Sequence, residues 1–290
     1  MNALGQAHPP RHQVRAIIQR ALDEDIGGGD VTTDNSVPAD QRSRAVLLAK
    51  QDGVLCGVHV FAETMALVDG AVTVDVQLAD GAAISKGSVA ARIEGPTRAL
   101  LTAERTALNF VQRMSGVATT TAAFAARLRG LSTRLVDTRK TTPGLRVLEK
   151  YAVRVGGGHN HRFNLADAVL LKDNHLAALR SRGLDLADAV RTIKERVPHT
   201  MNVEVEVTSL GQIDAALAGG ADIILLDNMS NDEMREAVRR IKGRALTECS
   251  GNVTLATVRE RAETGVDLIS SGALTHSATA VDISLEVEVE

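Results

Sequence analysis

The chain has 290 residues, a length that suits one large domain or two modest ones. Apolar residues make up 44% of it, which supplies a hydrophobic core and argues against disorder. The formal charge is only −3 and aromatic residues amount to 2%, so we expect neither a nucleic-acid surface spread over the protein nor an anionic-membrane surface.

The cysteine content and the apolar runs indicate the compartment. Cys56 and Cys249 are too few for a disulfide scaffold and indicate a reducing environment. The polar stretch over residues 1–13 lacks the apolar core of a signal peptide, and the longest apolar runs, such as residues 223–226, are far shorter than a membrane span. We therefore expect a soluble, cytoplasmic protein without a membrane partner.

The first part of the chain has the pattern of a mixed α+β domain. Apolar residues recur at helical spacing over residues 11–22, which predicts an amphipathic helix. The three glycines at positions 27–29 favour a tight turn, and a mobile lid is the alternative. The pattern then predicts a strand near 45–49, a helix near 58–68, an alternating strand over 72–78 and a long helix over 101–114.

Ser115-Gly116 marks the expected end of this first domain, at residues 1–115. Beyond it, short apolar strands each end in polar residues and are followed by a helix-like stretch. Glu206, Asp227, Ser250 and Gly272 mark four successive strand ends and lie 21, 23 and 22 residues apart. This repeat predicts βα units of a parallel barrel over residues 116–279, with an active site at the carboxyl ends of the strands. The alternating residues 280–290 predict a strand that leaves the barrel and joins the first domain.

Cationic side chains collect at these strand ends, namely Arg139, Lys140, His161, Arg162 and Lys172. Such a cluster predicts a polyanionic substrate, because the cations would otherwise repel one another. Glu204 shares a face with Glu206 by the two-residue period of a strand but lies deeper, so we expect it to pair structurally.

Two further features predict a metal and a phosphate. Glu206 and Asp227 end successive strands and could share Mg²⁺ with substrate oxygens and water, whereas no Cys/His spacing indicates zinc. Ser250-Gly251 and Ser271-Gly272 place small residues with backbone N–H groups after the last strands, where many barrels bind phosphate. A cationic cluster, a Mg²⁺ site and a phosphate site together indicate an enzyme that transfers a phosphorylated sugar from its pyrophosphate to an anionic acceptor.

Several motifs resemble the quinolinate phosphoribosyltransferase family, also called carboxylating nicotinate-nucleotide pyrophosphorylase. They span nearly the whole chain, and they are Glu24-Asp25-Ile26-Gly27-Gly28-Gly29-Asp30, Thr138-Arg139-Lys140-Thr141-Thr142-Pro143-Gly144, Glu149-Lys150-Tyr151-Ala152-Val153-Arg154, Gly156-Gly157-Gly158-His159-Asn160-His161-Arg162, Leu171-Lys172-Asp173-Asn174-His175, Val203-Glu204-Val205-Glu206-Val207, Leu226-Asp227-Asn228 and Ser250-Gly251-Asn252.

The resemblance implies an N-terminal α/β sandwich followed by an incomplete, seven-stranded type of α/β barrel. It implies a pentosyltransferase that converts quinolinate and phosphoribosyl pyrophosphate, with Mg²⁺, into nicotinate mononucleotide, pyrophosphate and CO₂ in de novo NAD synthesis. It further implies a homodimer or higher homo-oligomer in which the N-terminal part of one subunit closes the barrel mouth of another.

The resemblance also assigns roles to residues. Arg139, His161, Arg162 and Lys172 would hold the quinolinate carboxylates, with Arg105 reaching in from the partner subunit. Lys140 would contact the pyrophosphate donor, and Glu206 and Asp227 would contact its Mg²⁺ and ribose. Its phosphate would lie on Ser250, Gly251, Ser271 and Gly272. Lys140, Lys172, Glu206 and Asp227 are the expected catalytic residues.

Two other functions are compatible with parts of the pattern. Lys172 at a strand end could form a Schiff base in an aldolase, although the many cations and the acid pair would then be unexplained. A non-catalytic relative that binds an anion is the third possibility, and the complete set of charged residues argues against it.

Overall fold

The computed structural model describes residues 8–289. Residues 1–7, within the polar N-terminal stretch, and Glu290, at the end of the alternating strand, lie outside the described residues. The chain divides into two compact units, each described here by itself. The first unit comprises residues 1–122, 141–157 and 274–290, and the second comprises residues 123–140 and 158–273.

The described chain contains both helices and strands. In chain order they are α1 (Arg11–Ile26), α2 (Val31–Ser36), β1 (Arg42–Ala49), β2 (Gly53–Val54), α3 (Val58–Val68), β3 (Thr73–Val76), β4 (Ala83–Ile84), β5 (Val89–Pro96), α4 (Thr97–Arg127), β6 (Arg134–Val136), α5 (Arg146–Val155), β7 (Val169–Leu171), α6 (Asp173–Arg180), α7 (Leu186–Arg196), β8 (Val203–Val207), α8 (Ile213–Ala218), β9 (Ile223–Asp227), α9 (Asn231–Ile241), β10 (Leu246–Ser250), α10 (Val258–Ala262), β11 (Leu268–Ser270), α11 (Ala273–His276) and β12 (Ile283–Val289).

The first unit is a sheet covered by helices on one face. Its antiparallel sheet has the strand order β12-β1-β5-β3, and Leu47 of β1 lies opposite Leu285 of β12. The alternation of each strand turns one row of apolar side chains toward α3 and the first half of α4. Phe61, Leu100 and Leu47 are buried in the resulting core. The predicted helices at 11–22 and 58–68 and the predicted strands at 45–49 and 72–78 are all present as α1, α3, β1 and β3.

Helix α4 runs through Ser115-Gly116 and continues to Arg127. The predicted end of the first domain at Ser115-Gly116 therefore lies inside a continuous helix. Gly116 serves close packing, because a Cβ atom there would lie 2.2 Å from the carbonyl oxygen of Thr279. A glycine inside a helix costs backbone entropy, but here its missing side chain allows a second backbone segment to approach.

The second unit is a parallel sheet with the strand order β6-β11-β10-β9-β8-β7. All six strands correspond to the strands predicted from the repeat. A parallel bridge between Val136 and His159 adds a short segment beside β6. Within residues 8–289 no ladder joins β6 to β7, so the sheet forms an incomplete barrel.

The helices of the second unit cover the outer side of this sheet. Buried side chains such as Met234 and Ile241 on α9 and Val258 on α10 pack behind the strands. Val203 and Val205 of β8 are buried as well. The βα repeat inferred from the spacing of strand ends is thus the architecture of this unit. None of the helices described combines the length and the apolar composition that crossing a membrane requires.

We expect Gly116→Ala to destabilise the protein by about 1–3 kcal/mol, because the new methyl group would overlap the backbone at Thr279. Thermal and urea unfolding of the purified protein measure this change. Gly28→Ala is the matched control, because a Cβ atom at Gly28 meets nothing within 4 Å. Equal melting temperatures for the two variants would contradict the close-packing role of Gly116.

Candidate active site

The register of the parallel sheet places the predicted site residues on one face. Glu206 of β8 and Glu248 of β10 both pair with Leu225 of β9, and Ser250 pairs with Asp227. Residues in register on neighbouring strands point to the same side of a sheet. Glu206, Asp227, Glu248 and Ser250 therefore share the face opposite the covering helices, toward the carboxyl ends of the strands.

Lys172 and Glu206 form an ion pair at this edge. Lys172 follows β7, and its Nζ lies 3.6 Å from Glu206 Oε2. Burial raises the pKa of Glu206, and the nearby Asp227 and Asp173 raise it further, whereas Lys172 opposes the rise. Lys172 therefore offsets only part of the negative charge of Glu206 and Asp227, and a further cation could offset the rest.

Asp227 is held by the loop that follows it. The side-chain amide of Asn228 donates to Asp227 Oδ2 at 2.8 Å, and the Asn228 backbone N–H donates to the carbonyl of Ser250 at 3.2 Å. Gly251 has φ +91°, and a Cβ atom there would lie 2.2 Å from Asn228 Oδ1. Only glycine permits this approach, so the loops after β9 and β10 depend on each other.

The predicted phosphate residues differ in their surroundings. Ser250 is half-buried at the end of β10. Ser271 is buried; its hydroxyl donates to the carbonyl of Val253 at 3.3 Å and its backbone N–H donates to the carbonyl of Val136 at 3.1 Å. A phosphate on Ser271 would have to replace these bonds, whereas Ser250, Gly251 and Gly272 line the same strand ends.

Arg139 and Arg162 lie close enough to affect each other. Burial lowers the pKa of Arg162, the charge of Arg139 lowers it further, and Glu204 opposes the effect. Nη1 of Arg162 donates to the carbonyl of Ala168 at 3.0 Å. Two neighbouring guanidinium groups suit a ligand with two negative charges, because such a ligand relieves their repulsion.

Both ring nitrogens of His161 have partners within the second unit. Its Nε2 lies 3.0 Å from Glu204 Oε2 and 3.6 Å from Glu248 Oε2, and its Nδ1 accepts the backbone N–H of Arg162 at 2.7 Å. Its own backbone N–H donates to Asp137 at 2.9 Å. The quinolinate contact expected of His161 stays a prediction, and these contacts place the ring among carboxylates.

Sequence reasoning missed Glu248 and treated Glu204 as a structural partner. The signal for Glu248 was available: it precedes Ser250 by two residues on a predicted strand, as Glu204 precedes Glu206. The two-residue period therefore puts it on the face that carries the site. What the sequence lacked was the His161 contact, which joins strands β8 and β10.

Lys140 is exposed after β6, in the same segment as Arg139. Its backbone N–H donates to Thr138 Oγ1 at 3.0 Å, which fixes the turn that carries both cations. Its side chain extends from the edge that carries the other predicted groups, and its contact with a pyrophosphate stays a prediction.

Arg105 belongs to the first unit, on an exposed face of α4. The hydroxyls of Thr102 and Thr106, which precede and follow Arg105 on α4, donate to Asp30 and Asp25, each at 3.0 Å. Asp30 also accepts the N–H of Thr33 at 3.0 Å, at the start of α2. Asp25 and Asp30, on either side of the turn at Gly27–29, are thus hydrogen-bonded to α4 next to Arg105.

Glu206 and Asp227 suit Mg²⁺ by their chemistry. Both are oxygen ligands, they lie close enough for Asp227 to raise the pKa of Glu206, and Lys172 offsets only part of their charge. Mg²⁺ prefers one or two carboxylates plus substrate and water oxygens. These two residues would hold it together with a substrate.

Comparisons with known proteins match the two parts of the chain to one family. The model described as "Quinolinate phosphoribosyl transferase, N-terminal domain" matches residues 30–115, and that described as "Quinolinate phosphoribosyl transferase, C-terminal domain" matches residues 117–286.

Individual relatives agree with these matches. The probable carboxylating nicotinate-nucleotide pyrophosphorylase of Bacillus subtilis is 41% identical over 275 residues, which cover 95% of this chain and 93% of that protein. The carboxylating nicotinate-nucleotide pyrophosphorylase of Mycobacterium leprae is 43% identical over 282 residues, covering 94% of this chain and 96% of the relative.

A solved structure shows the same fold. The crystal structure of NadC from Streptococcus pyogenes superposes with a TM-score of 0.93 at 41% identity, covering 98% of this chain and 99% of that one. The register, the charged strand ends and these matches agree, and the chain belongs to the quinolinate phosphoribosyltransferase family.

Proposed function

We propose that this chain transfers the phosphoribosyl group of phosphoribosyl pyrophosphate to quinolinate, with release of pyrophosphate and CO₂. The product, nicotinate mononucleotide, is an intermediate of NAD synthesis. The observation that carries this proposal is the separation of charge at the sheet edge. Arg139 and Arg162 form a paired cationic site for a dicarboxylate, and Glu206 and Asp227 form a paired anionic site for a metal and ribose.

The first step depends on the anionic pair. When pyrophosphate leaves, positive charge develops on the anomeric carbon of the ribose, and Glu206 and Asp227 stabilise this charge. Lys140 binds the departing pyrophosphate as a point charge. Bound Mg²⁺ supplies Lewis-acid stabilisation of the pyrophosphate oxygens. Ser250, Gly251, Ser271 and Gly272 bind the ribose 5-phosphate through hydroxyl and N–H donors.

The second step depends on the cationic group. Arg139, Arg162, Lys172 and His161 orient quinolinate so that its ring nitrogen attacks the anomeric carbon. The nitrogen becomes cationic, and its positive charge stabilises the electron pair that stays on the adjacent ring carbon when the carboxylate there departs as CO₂. A proton then replaces the carboxylate on the ring carbon. This sequence requires no covalent enzyme intermediate.

The ion pair of Lys172 argues against a Schiff-base enzyme. Glu206 lies 3.6 Å from its Nζ, and a Schiff-base mechanism would leave this carboxylate and its neighbour Asp227 without a role. The neighbouring Arg139 and Arg162 are then also explained, because they complete a site for two carboxylates.

We place Arg105 in the site of a partner subunit, in a homodimer or larger homo-oligomer. The support is its exposure on α4, beside two threonines, Thr102 and Thr106, that tie this part of the helix to Asp30 and Asp25. We place the protein in the cytoplasm, which is supported by two free, buried cysteines.

With phosphoribosyl pyrophosphate and Mg²⁺, the purified protein should consume quinolinate, as followed by ultraviolet absorbance. Lys172→Ala and Arg139→Ala should each remove a charge-assisted contact of about 1.5–3 kcal/mol with quinolinate. The KM for quinolinate should therefore rise about ten- to hundredfold, and the KM for phosphoribosyl pyrophosphate should change far less. Equal increases for both substrates would contradict the assignment, and a wild-type protein that consumes no quinolinate would refute the proposed reaction.

Glu206→Gln and Asp227→Asn should weaken Mg²⁺-dependent binding of phosphoribosyl pyrophosphate by about tenfold or more while leaving quinolinate binding largely intact. Because the pKa of Glu206 is raised, its ionised form is lost as the pH falls, at a higher pH than for an ordinary glutamate. Donor affinity should thus decline on acidification in the wild type, and Glu206→Gln should lack this decline. Unchanged activity of both amide variants across a Mg²⁺ titration would exclude the metal role.

Mixing Arg105→Ala protein with Lys172→Ala protein should restore activity if the sites are shared between subunits. With random exchange of equal amounts, about half of the dimers are mixed and one of the two sites in each is intact, so roughly a quarter of wild-type activity should return. At a quinolinate concentration near the wild-type KM, each variant alone should retain little activity. Verified subunit exchange without recovery would show that Arg105 does not act in a neighbouring subunit's site.

A further inference from the structure

Two buried glutamates contact His161 and have no role in the reaction steps above. Glu204 on β8 and Glu248 on β10 are 2% and 1% exposed, and they lie 3.0 Å and 3.6 Å from Nε2 of His161. Glu204 Oε1 and Glu248 Oε2 accept no hydrogen bond from any residue that the structure describes. Burying carboxylates is costly, so this arrangement needs a physical explanation.

The hydrogen bond at the other ring nitrogen fixes the tautomer of His161. The backbone N–H of Arg162 can only donate, so Nδ1 must present its lone pair. The ring proton therefore lies on Nε2, which donates to Glu204. A ring in this state cannot bind a metal through Nε2, which argues against a metal held by His161, Glu204 and Glu248.

The charge of the Glu248 carboxyl group changes near neutral pH. Burial raises the pKa of Glu248 to about 7, and the charge of Glu204 contributes to the rise. The groups that face this carboxyl are Glu204, the imidazole of His161 and the hydroxyl of Ser270, which hydrogen-bonds to Glu248. As the pH falls through about 7, Glu248 therefore becomes neutral, and this removes one negative charge from the cluster.

The cluster is linked to the quinolinate-binding side chains through one residue. Nδ1 of His161 holds the backbone of Arg162, whose guanidinium is influenced by the charges of Arg139 and Glu204. Asp137 fixes the same loop by accepting the N–H of His161. Strands β6, β8 and β10 thus all contribute to the position of this loop.

We propose that Glu204 and Glu248 are positioning residues: they hold the His161 ring, and through its Nδ1 the backbone of Arg162, in the arrangement that binds quinolinate. This inference rests on the proposed substrate. It adds two residues that act through His161 and do not touch the substrate themselves.

The first test compares steady-state constants. Glu204→Gln keeps the size of the side chain and replaces the carboxyl acceptor of Nε2–H by an amide, which accepts more weakly, so the KM for quinolinate should rise about tenfold. The kcat and the KM for phosphoribosyl pyrophosphate should stay within about twofold. The matched control is Thr247→Val, which removes a buried hydrogen bond to Asp267 from the opposite face of the same strand as Glu248. It should lower the melting temperature and leave both KM values unchanged.

The second test uses pH and Glu248→Gln. In the wild type, kcat/KM for quinolinate should fall as the pH rises through about 7, because ionised Glu248 repels Glu204 and so disturbs the contacts that hold the His161 ring. Glu248→Gln stays neutral, so this fall should disappear while the constants below pH 6 match those of the wild type. The variant should fold at least as stably as the wild type above neutral pH, since it removes a buried charge.

Three results would overturn the inference. They are a wild-type kcat/KM that is flat through neutral pH, a Glu248→Gln profile identical to a falling wild-type profile, and a Glu204→Gln variant that raises the KM of both substrates equally. If Glu204→Gln does not fold, the pH profiles of the wild type and Glu248→Gln still decide the question. Absence of quinolinate consumption by the wild type would instead refute the proposed function.

Discussion

Carboxylates and cations alternate at the carboxyl edge of the parallel sheet, where burial makes an uncompensated charge costly. Lys172 pairs with Glu206, and Glu204 opposes the mutual repulsion of Arg139 and Arg162. The compensation is incomplete in both places. Lys172 offsets only part of the charge of Glu206 and Asp227, so this pair still attracts a cation. Arg139 and Arg162 lie close to each other, so they attract a dianion.

The fold also requires close approach between segments at two glycines. Gly251 allows the loops after β9 and β10 to meet at Asn228, which in turn holds Asp227. Gly116 allows the segment at Thr279 to lie against α4 in the first unit. A methyl group at Gly251 would overlap the Asn228 side chain, and one at Gly116 would overlap the backbone at Thr279, so it would displace either a site residue or a packed segment.

The candidate site was largely predictable because its residues end successive strands of a regular repeat. Glu206, Asp227 and Ser250 follow from the spacing, since parallel strands bring equivalent positions to one edge. The partners of His161 could not be derived in this way. A contact between a loop after α5 and the strands β8 and β10 depends on the curvature of the sheet, and no local period encodes it.

The sequence by itself predicted helices α1, α3 and α4, strands β1, β3 and β12, and the six parallel strands with the edge at which charge collects, because these follow from a local period of two or about 3.6 residues and from the regular spacing of strand ends. The tertiary structure alone decided that α4 continues through Gly116, that His161 donates to Glu204, and that Glu248 is buried beside them. These features depend on distances between segments far apart in the chain, and such distances are set by packing after the local pattern has already been satisfied.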